Sequence, residues 1–139
     1  MPKNKNNLRA LLIYLGIAVV CVIFAAIYQH FSHGVRSFFM TFLFLPPLVL
    51  GAAVFGLLTP IGPAFHGFGR TVYHTGVCTV TIGFLVRGAL DIYGTSSKLV
   101  PIYFIAGGIL LAGGILLSAI EHLLSVIRRK KAKSSHQES

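Results

Sequence analysis

Residues 70–93 read RTVYHTGVCTVTIGFLVRGALDIY, a stretch at once apolar and charged. Over 71–90 it is apolar for about the 20 residues that a helix needs to cross a ~30 Å hydrocarbon core. It nevertheless carries Arg70, His74, Arg87 and Asp91. A charged side chain at mid-membrane costs roughly 2.5–3.5 kcal/mol on insertion scales, so such residues face a protein interior, a water-filled cavity or the interface. The stretch therefore reads as a transmembrane helix that packs among other helices and turns its chemistry toward them.

The rest of the chain agrees with that solvent. Of 139 residues 55% are hydrophobic and only 11% charged, which removes the soluble globular class. Twelve Lys and Arg stand against three acidic residues. Their positions speak against nucleic acid as a partner: Lys3, Lys5 and Arg9 precede the first apolar run, and Arg128, Arg129, Lys130, Lys131 and Lys133 follow the last. Basic residues gathered at span ends on one side are the positive-inside pattern.

The fold expected is all-α: a polytopic membrane protein with four transmembrane helices in a compact bundle. The spans are expected at about 9–28, 38–58, 71–90 and 99–122, within a domain over 1–127 followed by a disordered basic cytoplasmic tail over 128–139. An even number of spans puts both termini on one side, and the basic residues make that side the cytoplasm of a cell held in its plasma membrane. The first apolar run is longer than a signal-peptide core and no A-x-A site follows it, so it reads as an uncleaved span.

Punctuation along the chain supports these boundaries. Gly34 and Gly94 read as helix terminators. Pro46 and Pro47 remove two backbone donors in the second run and predict a kink there. The Pro/Gly-rich connection over 59–70 holds His66 and resists any regular element. Pro101 is acceptable in the first turn of the last helix. In that helix Gly107, Gly108, Ala112, Gly113 and Gly114 offer small-xxx-small spacings, Gly108 with Ala112 among them, that permit close helix packing in lipid. Cys21 and Cys78 fall inside apolar runs and read as small core residues.

At 100° per residue, Tyr73, Val80, Phe84, Arg87 and Asp91 share one face of the third span, and His74, Cys78 and Thr81 share another. Arg87 and Asp91 are four apart and form an ion pair along the helix. They serve either as an interfacial anchor or, with His30, His33 and Arg36, as an outward-facing solute, proton or metal site. Toward the cytoplasmic end, His74 needs a partner for its N–H; Glu121, Tyr73 and Thr71 offer suitable groups. Alternatively His74 and His122 ligate a b-type haem, as histidines on different helices of a bundle can.

Three functions fit this inventory. The first is a small membrane protein that handles a solute, ion or proton as a homo-oligomer, using Arg87, Asp91, His30 and His33 outside and His74, Tyr73 and Glu121 inside. The second is a haem-bearing electron-transfer protein. The third is an accessory subunit whose polar residues only pack, with the lipid bilayer and another membrane protein as partners. Hydrolytic signatures such as H-E-x-x-H and G-x-S-x-G are missing from the sequence. In length and span number the chain resembles the small multidrug transporters and the small fluoride channels. It has no glutamate in its first span and lacks the channels' glycine- and arginine-rich pattern, so this resemblance implies a topology and no activity.

Overall fold

The computed structural model describes residues 2–56 and 67–138, and most of the second connection, His66 included, lies outside them. The described residues form α1 (Pro2–Phe31), the short α2 (Phe38–Thr41), a π-helical stretch π1 (Pro47–Ala53), α3 (Gly67–Tyr93) and α4 (Val100–Gln137), with no strand among them. Three of these helices are long and apolar enough to cross a membrane: Asn7–Phe31, Gly67–Tyr93 and Val100–Gln137. The chain is thus an all-helical protein of membrane character.

The boundaries follow the local chemistry. Helix α1 stops at Phe31, and the backbone then enters the left-handed region at His33 (φ 52°) and Gly34 (φ 93°). Helix α3 ends in a Schellman arrangement: Gly94 (φ 70°) donates its N–H to Asp91, and the Thr95 N–H reaches back to the Leu90 carbonyl at 3.0 Å. Helix α4 does not stop where apolarity ends. Residues 128–137, expected as a disordered tail, continue the helix to Gln137. That segment holds Lys, Arg, Ala and Gln, all good helix formers, and extending an existing helix avoids the cost of nucleation. Cations at a helix C-terminus also complement its dipole.

The second apolar run differs most from expectation, since it is interrupted rather than one helix over 38–58. Ser37 caps α2, its Oγ accepting from the Met40 N–H at 3.4 Å. The chain then tightens, with Leu43 N–H donating to Met40 and Leu45 N–H to Phe42 at 2.9 Å. Pro46 and Pro47 cannot donate to the carbonyls of Phe42 and Leu43, so the ladder breaks there. Beyond them the helix resumes in the wider π form.

This interrupted run lies between α1 and α3. At one level Met40 and Leu43 pack with Cys21 and Ala25 of α1 and with Phe84 and Leu85 of α3. At the other, Ala52 and Phe55 pack with Ala10 and Tyr14 of α1 and with Tyr73 and Val77 of α3. Helices α1 and α3 are therefore parallel, and the run between them is antiparallel to both. On α1 the buried positions Ala10, Tyr14, Ala18, Cys21 and Ala25 recur every three or four residues. Because α1 is apolar all round, hydropathy alone cannot show which stripe is buried.

Helix α4 packs on α3 through alternating glycines. A Cβ on Gly69 would meet the Ser118 N at 2.6 Å, one on Gly76 the Leu111 N at 2.8 Å, and one on Gly114 the Tyr73 N at 2.6 Å. Gly107 sits equally close to the Val80 side chain. The expected pair Gly108 and Ala112 is on the other side: both are exposed, and nothing lies within 4 Å of a Cβ on Gly108. Tight packing of the last helix is present, carried by Gly107 and Gly114 of the five small residues and not by the Gly108–Ala112 pair.

Candidate functional site

Near the start of α3, Arg70 and His74 lie one turn apart, and the Arg70 Nε–H donates to His74 Nε2 at 3.2 Å. A guanidinium only donates, so Nε2 accepts and the ring is the neutral tautomer with its proton on Nδ1. That proton is donated to the hydroxyl oxygen of Tyr14, sixty positions away in sequence. The Tyr14 O–H is left with no acceptor among the described residues. Phe55 stacks on the His74 ring (centroids 5.0 Å apart, planes within 7°) and also lies beneath the Arg70 guanidinium, 5.5 Å from it. The imidazole is thus fixed on both edges and one face.

This network borders an open groove of about 320 Å³ between α1 and α3, lined by Arg9, Ala10, Ile13, Tyr14, Ile17, Arg70, His74 and Cys78. Its polar groups come from Arg9 and Tyr14 of α1 and Arg70 and His74 of α3, and Ala10, Ile13 and Ile17 give it an aliphatic side. Cys21 is buried as expected, but Cys78 is exposed on the groove rather than set in the core.

Tyr73 has a different place from His74. It is 2% exposed, its hydroxyl donates to the Leu50 carbonyl at 2.7 Å, and its ring meets Phe55 edge-on. It ties α3 to the π1 turn. Glu121 is not the partner of His74 either. Its Oε1 accepts from the Phe68 N–H at 3.2 Å, at the first turn of α3, where a carboxylate complements the helix dipole. Gly67 (φ 67°) admits it, since a Cβ there would lie 2.9 Å from Oε2. His122 points outward and is exposed.

At the other end of α3 the expected ion pair forms, with Arg87 Nε 3.1 Å from Asp91 Oδ1. Asp91 Oδ2 accepts from the Ser37 hydroxyl at 3.0 Å, and the Arg87 guanidinium lies 5.6 Å from the Phe39 ring. His30 and His33 are both exposed, and neither reaches Asp91. Among the described residues no group of three or more His, Cys, Asp and Glu gathers as a metal centre would require. The ion pair is itself a third exposed and contributes under about 1 kcal/mol. Ser37 matters more, because it is 3% exposed and holds both the α2 cap and Asp91. Ser37→Ala is expected to cost about 1–2 kcal/mol in thermal unfolding, against less than about half that for Arg87→Met.

Between the two ends the interior is closed. Phe55, Met40 and Leu43 are 0% exposed and Val77 1%. Phe39, Phe84 and Phe104 meet one another ring to ring. No polar side chain joins the Arg70–His74–Tyr14 network to Asp91 among the described residues.

Of the residues singled out in the sequence, His74 proves to be the centre of a network, and Arg87 and Asp91 a pair. Arg9, Tyr14 and Arg70 complete the groove; only the contact between α1 and α3 reveals Tyr14, because nothing in a run of aliphatic residues marks one tyrosine as a histidine's partner. No family model, curated protein or solved structure matches the chain.

Proposed function

We propose that the chain is a four-pass protein of the plasma membrane with both termini cytoplasmic, which binds a small anionic solute at the cytoplasmic ends of α1 and α3 and handles it as a homo-oligomer. The four-pass reading is supported by the interrupted run over 38–56, which extends beside α1 from the level of Ala25 to that of Ala10. With that crossing, Arg9, Arg70 and the basic end of α4 fall on one side, as the positive-inside rule asks.

The observation that carries the functional reading is the Arg70–His74–Tyr14 chain opening onto a groove that Arg9 also borders. Two permanent positive charges and an uncommitted hydroxyl donor suit an anion. The apolar layer of Phe55, Val77, Met40 and Leu43 supports assembly: among the described residues one chain offers no polar route across, so passage needs a path between copies. The same layer favours a second reading, a binding or accessory subunit that conducts nothing. The haem reading has less support, since both ring nitrogens of His74 are engaged and His122 is exposed.

Uptake of labelled phosphate, sulfate and acetate into proteoliposomes, paired with equilibrium binding to the purified protein, tests this. At least one anion should bind, with Arg70→Gln weakening it about tenfold, the equivalent of one charge-assisted contact. Binding without uptake selects the accessory reading. Neither binding nor uptake above empty vesicles for any anion overturns the proposal.

A further inference from the structure

The groove is built for more than a solvated ion. Its lining joins polar groups, Arg9, Arg70 and the Tyr14 hydroxyl, to the less polar Ile13, Ile17 and Cys78. Arg9 and Ile17 are eight positions apart, about 12 Å along α1. A hydrated anion would leave that aliphatic wall unused. Ile13, at the groove's rim, and Val20, one turn beyond Ile17, are both more than half exposed, so the wall continues into the lipid-facing side of α1.

We propose that the groove binds an anionic phospholipid of the cytoplasmic leaflet, entering sideways between α1 and α3. The headgroup phosphate lies between Arg9 and Arg70 and accepts from the Tyr14 hydroxyl. One acyl chain runs along Ile13, Ile17 and Cys78. A volume near 320 Å³ takes the phosphate and the upper part of a chain, leaving the remainder in the bilayer. Basic pockets between helices at the cytoplasmic side recognise such headgroups by charge. The inference rests on the reading of this groove as an anion site and names the class of anion.

The test is thermal unfolding of the full-length chain in a neutral detergent, with added phosphatidylglycerol, phosphatidylcholine or glycerol 3-phosphate. A ligand that binds the folded state raises the melting temperature with its concentration. Phosphatidylglycerol should do so at far lower concentration than glycerol 3-phosphate, and phosphatidylcholine should not. Arg9→Gln changes an exposed side chain, so its lipid-free melting temperature should stay, while about tenfold more phosphatidylglycerol is needed for the same rise. Cys78→Phe, also at an exposed position, fills the aliphatic side and should abolish the rise.

Other outcomes each count against the inference. If glycerol 3-phosphate stabilises as well as phosphatidylglycerol and Cys78→Phe changes nothing, the lipid assignment fails and the anion site stands. If phosphatidylcholine serves equally, charge recognition fails and the anion site falls with it. A phosphatidylglycerol effect unchanged in both variants places the lipid elsewhere, on the basic end of α4, and overturns the groove as its site.

Discussion

Gly114→Val is expected to disrupt the α3–α4 pair, lowering stability by roughly 3 kcal/mol, whereas Gly108→Ala should leave it unchanged or raise it by up to about 1 kcal/mol. The contrast is informative because both glycines belong to the same apolar run, AGGILLAGG. A side chain at Gly114 would collide with the backbone of Tyr73, where N, Cα and Cβ lie 2.6–2.8 Å from the new Cβ. Backbone atoms cannot rotate away, so the two helices must separate. Separation also removes the contacts of Gly107 with Val80 and of Gly76 with Leu111. In lipid these close contacts are the main attraction between helices, since the surrounding chains are as apolar as the side chains. At Gly108 nothing lies within 4 Å, and alanine only improves helix propensity. Thermal unfolding of the two variants in one detergent checks this, and similar losses for both would contradict the packing described.

The second large effect is expected at Gly51 of π1, and it is a coupling. The Tyr14 ring lies directly on Gly51, so close that a methyl group there would overlap the ring. Gly51→Ala must push the ring aside, and with it go the Tyr14–His74 hydrogen bond and the Tyr14–Phe55 stack, whose centroids are 5.8 Å apart. We expect a loss of about 3 kcal/mol, comparable with Tyr14→Ala. The double variant Gly51→Ala/Tyr14→Ala should cost no more than Tyr14→Ala alone, because the methyl group then fills space the ring has left. That gives a coupling of about 2–3 kcal/mol in a double-mutant cycle. Additive losses would mean that Gly51 matters for the π-helical backbone and not for seating Tyr14.

Both predictions concern glycines whose meaning could not be read from spacing. Gly108 and Ala112 have the same small-xxx-small separation that marks helix contacts elsewhere, yet they are exposed, and Gly114 makes the contact. A helix that is apolar on every side offers no moment to distinguish a protein-facing stripe from a lipid-facing one. Cys78 went the same way: placed in the core by its apolar neighbours, it faces the groove. Tyr73 and Glu121, read as company for His74, instead tie α3 to π1 and cap its first turn. Each had a nearer unsatisfied backbone group, the Leu50 carbonyl in one case and the Phe68 N–H in the other.

Local chemistry was legible where the cause was local. The Arg87–Asp91 pair needs only one helical turn. Gly34 and Gly94 take the positive φ that ends a helix, and the Pro46–Pro47 pair breaks the ladder where two donors are missing. Helix α4 reaches Gln137 because backbone propensity continues the helix beyond the point where apolarity ends.

Three of the four expected spans are therefore legible in the sequence as long apolar helices, since in lipid each backbone polar group must find its partner inside its own segment. Tertiary packing alone sets who faces whom: Gly114 against Tyr73, Gly51 against Tyr14, and His74 between Arg70 and Tyr14. Those contacts depend on the rotation of each helix about its axis and on the wider turn of π1. Close packing between segments forty to sixty residues apart sets that rotation, and no pattern within a single segment encodes it.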